Sequence, residues 1–409
     1  MNHFRIAYSA LFAAAFAAPQ VPCRASDSNM PDGVRWENPV TGRKLEASAF
    51  AARVSNLDFL DFSGMRAGKA DGVFAGERFM IVPELYFASP DGRSPAKFSY
   101  TFSLERPGKG SRELDRGAFE ISDPGAFDAA ALPFAFRCSF PPDDPGGEAT
   151  FALEVRDSSG GRASRCEVRL KVSPWKGGPG EVSGPGEADA LLRSYALDQN
   201  PETLYRIFKS GHMEIGEPGR VSYNILYIFE NAFCRHPFLV DALAREFPDA
   251  SERVRKKTMA LFEALGRSGE LGEIGGEEAA WLEAFRGALE PKPDPYSEFS
   301  PLALDALWGE FFATGSMRPV RRILEYLRFR DDFFAAAAFQ NGELAEKPSE
   351  ETYAGADNYR IAFWSLYIHT AFPLFADYLE WLSENEWDAG KKKAFLEALD
   401  VGRWAAENF

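Results

Sequence analysis

Histidine and cysteine are the scarcest residues here that could do chemistry, four of each. Beyond His3, the chain has His212, His236 and His369. A zinc site needs His, Cys or carboxylates at ligand spacing, such as H-E-x-x-H or C-x-x-C. The chain has no such run, so no metal or other cofactor is expected. His369 lies among aromatic residues of a helix and reads as a core or rim histidine; His212-Met213-Glu214 reads as an ordinary loop. For nucleophilic catalysis, Gly-x-Ser-x-Gly is missing. Cys234-Arg235-His236 brings Cys and His together only in sequence, because helix neighbours point apart. Neither glycine-rich nucleotide motif occurs. Asp71-Gly72 and Asp91-Gly92 lack EF-hand spacing and read as turns. With 61 acidic residues, a glycosidase-type carboxylate pair stays open.

Binding chemistry is better represented. Arg318, Arg321, Arg322, Arg328 and Arg330 concentrate positive charge on a chain of net charge −15. They could pair with Glu325, Asp331 and Asp332, or dock an acidic partner. Tyr353, Tyr359, Trp381 and Trp387 fall near loops and ends of helices. We take Arg318, Arg322, Tyr353, Tyr359 and Trp381 as candidate ligand-binding residues. The acidic balance argues against nucleic acid or an anionic membrane surface as partner.

The elements that must position these residues come from an internal similarity. Ala188–Phe208 and Leu304–Leu327 align without a gap. Asp189-Ala190-Leu191 falls on Asp305-Ala306-Leu307, Tyr195 on Phe311, and Arg206-Ile207 on Arg322-Ile323. Leu304, Leu307, Trp308, Phe311 and Phe312 make one helical apolar stripe; Val320, Ile323, Leu324 and Leu327 make the next. Thr314-Gly315-Ser316 turns one helix into the other. Further matches (Leu226-Tyr227-Ile228 with Leu366-Tyr367-Ile368, Glu263-Ala264-Leu265 with Glu397-Ala398-Leu399) extend this to two four-helix units, 187–268 and 301–409. A helix is expected between them at 277–289. Residues 340–356 interrupt the second unit where 210–219 bridge the first. Such units bury their apolar faces by stacking, as in solenoids.

Before the helices the period changes. Phe79, Ile81, Pro83, Leu85 and Phe87 alternate, as do Phe98, Tyr100, Phe102 and Leu104. Leu132 to Phe140, Phe151 to Val155 and Cys166 to Val172 follow, with Gly/Pro/Asp turns between them. Cys138 and Cys166 each share the phase of their strand's apolar residues, which predicts that they form a disulfide. Residues 175–186, rich in Gly and Pro, read as a linker that is neither helix nor core strand. Met1–Ala25 carries Arg5, the apolar run Ile6–Ala18 and small residues at Cys23 and Ala25. These are the marks of a signal peptide cleaved before Ser26. Val21-Pro22 departs from a lipidation signal at Cys23. No later segment is long and apolar enough to span a membrane.

Phe140-Pro141-Pro142-Asp143-Asp144-Pro145-Gly146-Gly147-Glu148, followed by the hairpin 149–172, resembles the end of bacterial immunoglobulin-like modules. The resemblance implies a sandwich, not an activity. The sequence thus predicts an exported, periplasmic or secreted chain of two domains. They are an N-terminal all-β immunoglobulin-like sandwich (34–174) and an all-α, solenoid-like helical-repeat domain (187–409). The expected function is non-catalytic: a scaffold binding a peptide, protein or envelope component. The alternative is an envelope-polymer hydrolase with a carboxylate pair in the cleft between the helical units.

Overall fold

The computed structural model describes residues 44–53, 69–88, 96–121, 130–131, 135–158, 161–177 and 181–408. The expected signal peptide, Cys23, the Asp91-Gly92 turn and the strand start at Leu132 lie outside these residues. The chain divides into a β-rich N-terminal region and a helical C-terminal region.

The first sheet contains β1 (Lys44–Ala52), β3 (Arg78–Ala88), β6 (Ala130–Ala131) and β7 (Phe136–Ser139). β3 is central, with β1 on one side and β6 and β7 on the other, all antiparallel to it. The second sheet has the order β2 (Gly72–Phe74), β9 (Ala163–Ser173), β8 (Gly147–Asp157), β4 (Ala96–Arg106), β5 (Gly110–Ile121). Alternation decides what faces what. Phe79, Ile81, Leu85 and Phe87 of β3 meet Phe98, Phe102, Phe151, Leu153 and Val155 in one core between the sheets. Phe136 stacks on Phe102 with ring centroids 3.9 Å apart.

The opposite face of the first sheet is apolar too. Phe50, Ala52, Met80 and Val82 join the core of the helical region. The run Phe79-Met80-Ile81-Val82 is therefore buried on both sides, as continuous apolar strands are. Trp175 stands at this junction, edge-on to Phe74, Tyr205 and Phe238 at 5.0, 5.3 and 5.5 Å.

The helical region begins with α1 (Pro185–Asp198) and α2 (Pro201–Lys209). Pro185 and Gly186, expected in the linker, are in the first turn of α1, where a proline loses no hydrogen bond. The short β10–β11 ribbon (Gly216–Glu217, Arg220–Val221) precedes α3 (Tyr223–Arg235), α4 (Pro237–Glu246), α5 (Glu252–Ala264) and α6 (Gly276–Ala288). Then come α7 (Pro301–Thr314), α8 (Met317–Leu324), α9 (Arg330–Gln340), α10 (Glu350–His369), α11 (Pro373–Asn385) and α12 (Ala389–Asn408).

Two tight helix junctions are built alike. α1 ends in Gln199, left-handed at φ 51°, and Asn200 caps α2. α7 ends in Gly315 at φ 63°, and Ser316 caps α8. The two junctions touch: Gln199 Nε2 donates to the Thr314 carbonyl at 2.7 Å. Tyr378 Oη donates to the Gly315 carbonyl. Lys257 is buried, and its ammonium donates to the Phe208 and Ser210 carbonyls at 2.8 and 2.9 Å. That anchors the end of α2 to α5, while burial drags the Lys257 pKa down to about 8.

The expected disulfide is not formed; Cys138 and Cys166 are free thiols. Phase along a strand was the basis for pairing them, and phase does not settle strand order. β1 lies over β9, where the Ala47 amide donates to Ser164 Oγ at 3.0 Å. Cys138, on β7, lies over β4 at the other side of β3, beside Phe102 and Phe136. Cys166 pairs with Leu153 on β9, two strands away from β4. Burial pushes the thiols up to about 12 and about 11.

Helices α3 and α7 cross so closely that a Cβ at Gly309 would sit 2.5 Å from Cβ of Tyr227 and 2.9 Å from its backbone carbon. Gly309→Ala is expected to cost about 1–3 kcal/mol in urea unfolding, as overpacking does. Gly287→Ala, in open space within α6, is expected to stabilise by up to about 1 kcal/mol. Equal behaviour of the two variants would contradict this crossing.

Candidate functional site

Four arginines converge where the first sheet meets the helices. β3 and β7 are in antiparallel register, with Arg78 opposite Ser139 and Met80 opposite Arg137. Arg78 and Arg137 therefore lie diagonally on the helix-facing side of the sheet, at the margin of the Met80–Val82 contact. Arg53 follows β1, and Arg235 ends α3. Together with Met80, Cys138, Ser139, Gln199 and His236 they line a cavity of ≈ 530 Å³.

The cations differ in how they are held. Arg53 Nε donates to Glu77 Oε1 at 2.7 Å and its NH2 to the Gly72 carbonyl at 2.5 Å. Glu77 is fully buried and also accepts the Phe74 amide at 2.7 Å. Burial raises its pKa, against the lowering effect of Arg53. Burial lowers the pKa of Arg235; Tyr195, Glu310 and Cys234 oppose that, and the charge of Arg137 adds a smaller push downward. Arg78 and Arg137 are exposed and make no ion pair among the described residues.

His236 closes the inner end. It caps the junction between α3 and α4 and is 2% exposed. Neither ring nitrogen makes a hydrogen bond of normal geometry among the described residues. Burial, then Arg235, Arg53 and Arg78, push its pKa down to about 3, with only the Gln199 backbone favouring the charged ring. The buried hydroxyl of Tyr195, whose ring is 6.2 Å from the imidazole, also makes no hydrogen bond among the described residues. Asp198, its pKa raised by burial, and Glu310, whose charge acts on Arg235, are nearby acids besides Glu77. The cavity is thus a concave, electropositive pocket with a neutral imidazole at its base. Such a pocket stabilises a bound carboxylate or other oxyanion.

The residues singled out from sequence are placed elsewhere. Arg322 is buried, donates to the Pro295 and Glu298 carbonyls at 3.0 Å each and lies 3.7 Å from the Phe299 ring centre. It pins the segment before α7. Arg318 stacks on Tyr296 at 3.8 Å in the same cluster. Tyr359 is fully buried against Phe333 and Phe363. Trp381 is half-buried with Arg321 over its ring, and Tyr353 is half-buried on α10. His369 is a half-buried histidine at the rim of the core: it stacks on Trp308 at 4.0 Å and contacts the Ser365 carbonyl through Nδ1.

The junction site was missed because its four arginines come from four separate places in the chain. Its only local signals were the outward phase of Arg78 and Arg137 and the Arg235-His236 pair. Among the described residues no cluster of three or more His, Cys, Asp or Glu is arranged to hold a metal ion. No helix there is long and apolar enough to cross a membrane.

No family model matches the chain. No curated protein matches it either. A solved structure reporting glycolipid glycan hydrolysis, a family 123 glycoside hydrolase from Clostridium perfringens, aligns with 37% of this chain at 12% identity and a TM-score of 0.20. The match spans 32% of that hydrolase. A similarity this low does not define a common fold.

Burial holds His369 neutral down to about pH 4, whereas an unfolded histidine takes its proton near 6.5. Between those values the unfolded chain binds more protons, so this contribution to stability is lost as pH falls. His236 acts in the same direction, down to about 3. Asp305, raised to about 6 by burial, acts oppositely. His369→Phe, which keeps a ring on Trp308, is expected to reduce the proton uptake on unfolding at pH 4.5–6 by about one. An unchanged slope of unfolding free energy against pH would show that His369 titrates normally.

Proposed function

We propose that this chain is an exported, non-catalytic interaction protein that takes an acidic ligand at the junction of its β and helical regions. The observation that carries this reading is the pair Arg78 and Arg137. They are two guanidiniums with no ion pair among the described residues, beside a buried neutral imidazole, on a protein of net charge −15. Such a focus of positive potential steers anionic partners. In this reading the β region is an immunoglobulin-like module that presents one wall of the site. The helical region is a duplicated unit, about 187–268 and 301–409, that presents the other. The matching junctions at Gln199-Asn200 and Gly315-Ser316 support the duplication.

Calorimetric titration with hexaglutamate tests the reading. Binding is expected to weaken with salt. It should fall about tenfold for Arg78→Glu or Arg137→Glu, roughly 1.4 kcal/mol each. Equal binding of hexalysine, or no loss in the variants, would refute it.

A second reading, an envelope-polymer hydrolase, has one observation behind it. Asp305 on α7 has its pKa raised to about 6 by burial, a value suited to a general acid. Sugar release from cell-wall material that Asp305→Asn abolishes would favour that reading over the first.

A further inference from the structure

β7 is an edge strand. It pairs with β3 on one side, and no other strand pairs with it among the described residues. An open edge is a row of unused backbone donors and acceptors, which proteins ordinarily cover or blunt. Here a trench of ≈ 570 Å³ runs along it. Its floor is apolar: Phe102 and Leu104 of β4, Leu114 of β5, and Phe136 and Cys138 of β7 itself. The register of β4 and β5 shifts between Phe102 and Ser103, so Leu114 is the extra residue of a bulge. Bulges re-aim side chains in this way. Arg112, Asp115 and Arg137 also line the trench; Asp115 accepts from Tyr100 Oη and the Arg116 amide, while neither arginine makes an ion pair among the described residues. At Arg137, Cys138 and Ser139 the trench meets the arginine cavity.

We propose that the β7 edge docks an extended segment of a partner protein whose residues alternate between apolar and acidic. This inference rests on the acidic-ligand reading above. A strand added beside β7 extends the first sheet, and its side chains must alternate between that sheet's two faces. One set points into the trench, onto Leu104, Leu114 and Phe136. The other points to the helix-facing side, where Arg137 and Arg78 stand. The trench thus selects apolar residues in one phase, and the arginines select carboxylates in the other. Backbone pairing supplies register; the alternation supplies specificity.

The probe is the capped octapeptide (Val-Glu)4, titrated into the full chain and compared with (Val-Lys)4 and hexaglutamate. The alternating acidic peptide is expected to bind at least tenfold more tightly than either. N-methylation of one alternate set of residues should abolish that advantage, and N-methylation of the other set should spare it, because only one set turns its N–H towards β7. Leu114→Arg should weaken (Val-Glu)4 and leave hexaglutamate unchanged. Arg137→Glu should reverse the preference towards (Val-Lys)4. If both N-methylated peptides bind alike while hexaglutamate still binds, strand pairing is wrong and the acidic-ligand reading stands. If neither hexaglutamate nor (Val-Glu)4 binds, both fall.

Discussion

The structure depends on the first sheet being covered on both faces. On one side Phe79, Ile81, Leu85 and Phe87 close the β core; on the other Phe50, Met80 and Val82 enter the helical core. Each large apolar side chain taken from water contributes about 1.5–3 kcal/mol, as an upper estimate. Three on the helix-facing side amount to several kcal/mol holding the two regions together. The polar residues are pushed to the margin of this contact. Arg78 is two residues before Met80 on the same face, and Arg137 lies directly across from Met80. The site exists because burial stops there and charge begins.

That arrangement also explains what could and could not be read from residues alone. Alternation placed the strands, and the Gly315-Ser316 turn placed the α7–α8 junction. The run Phe79-Met80-Ile81-Val82 carried a second message: four consecutive apolar residues in a strand call for cover on both sides. Reading only its odd residues hid the contact with the helices. The cysteines failed for a related reason. Cys138 and Cys166 do face the same core, but which strand lies over which is settled by long-range packing. Arg318 and Arg322 were conspicuous because they are close in sequence, yet the fold spends them on Tyr296, Phe299 and the Pro295 and Glu298 carbonyls. Arg53, Arg78, Arg137 and Arg235 were inconspicuous because only the tertiary structure assembles them.

The electrostatics of the junction are lopsided in a useful way. Glu77 is consumed by Arg53 and by the Phe74 amide. Among the described residues Arg78 and Arg137 keep no ion pair of their own. The low-dielectric surroundings that keep His236 neutral also strengthen any charge–charge contact made beside it. An incoming carboxylate would replace the mutual repulsion of the guanidiniums by attraction.

Trp175 gives the junction a further property. Its indole is wedged among Phe74, Tyr205 and Phe238, one ring from the β region and two from the helices. Swinging the regions apart would mean drawing a large ring out of an apolar socket into water. The walls of the cleft are therefore preorganised, so little conformational entropy remains to be surrendered when a guest arrives. Under the acidic-ligand reading proposed above, such a cleft would act as a rigid mould, with selectivity built in at folding rather than acquired on contact.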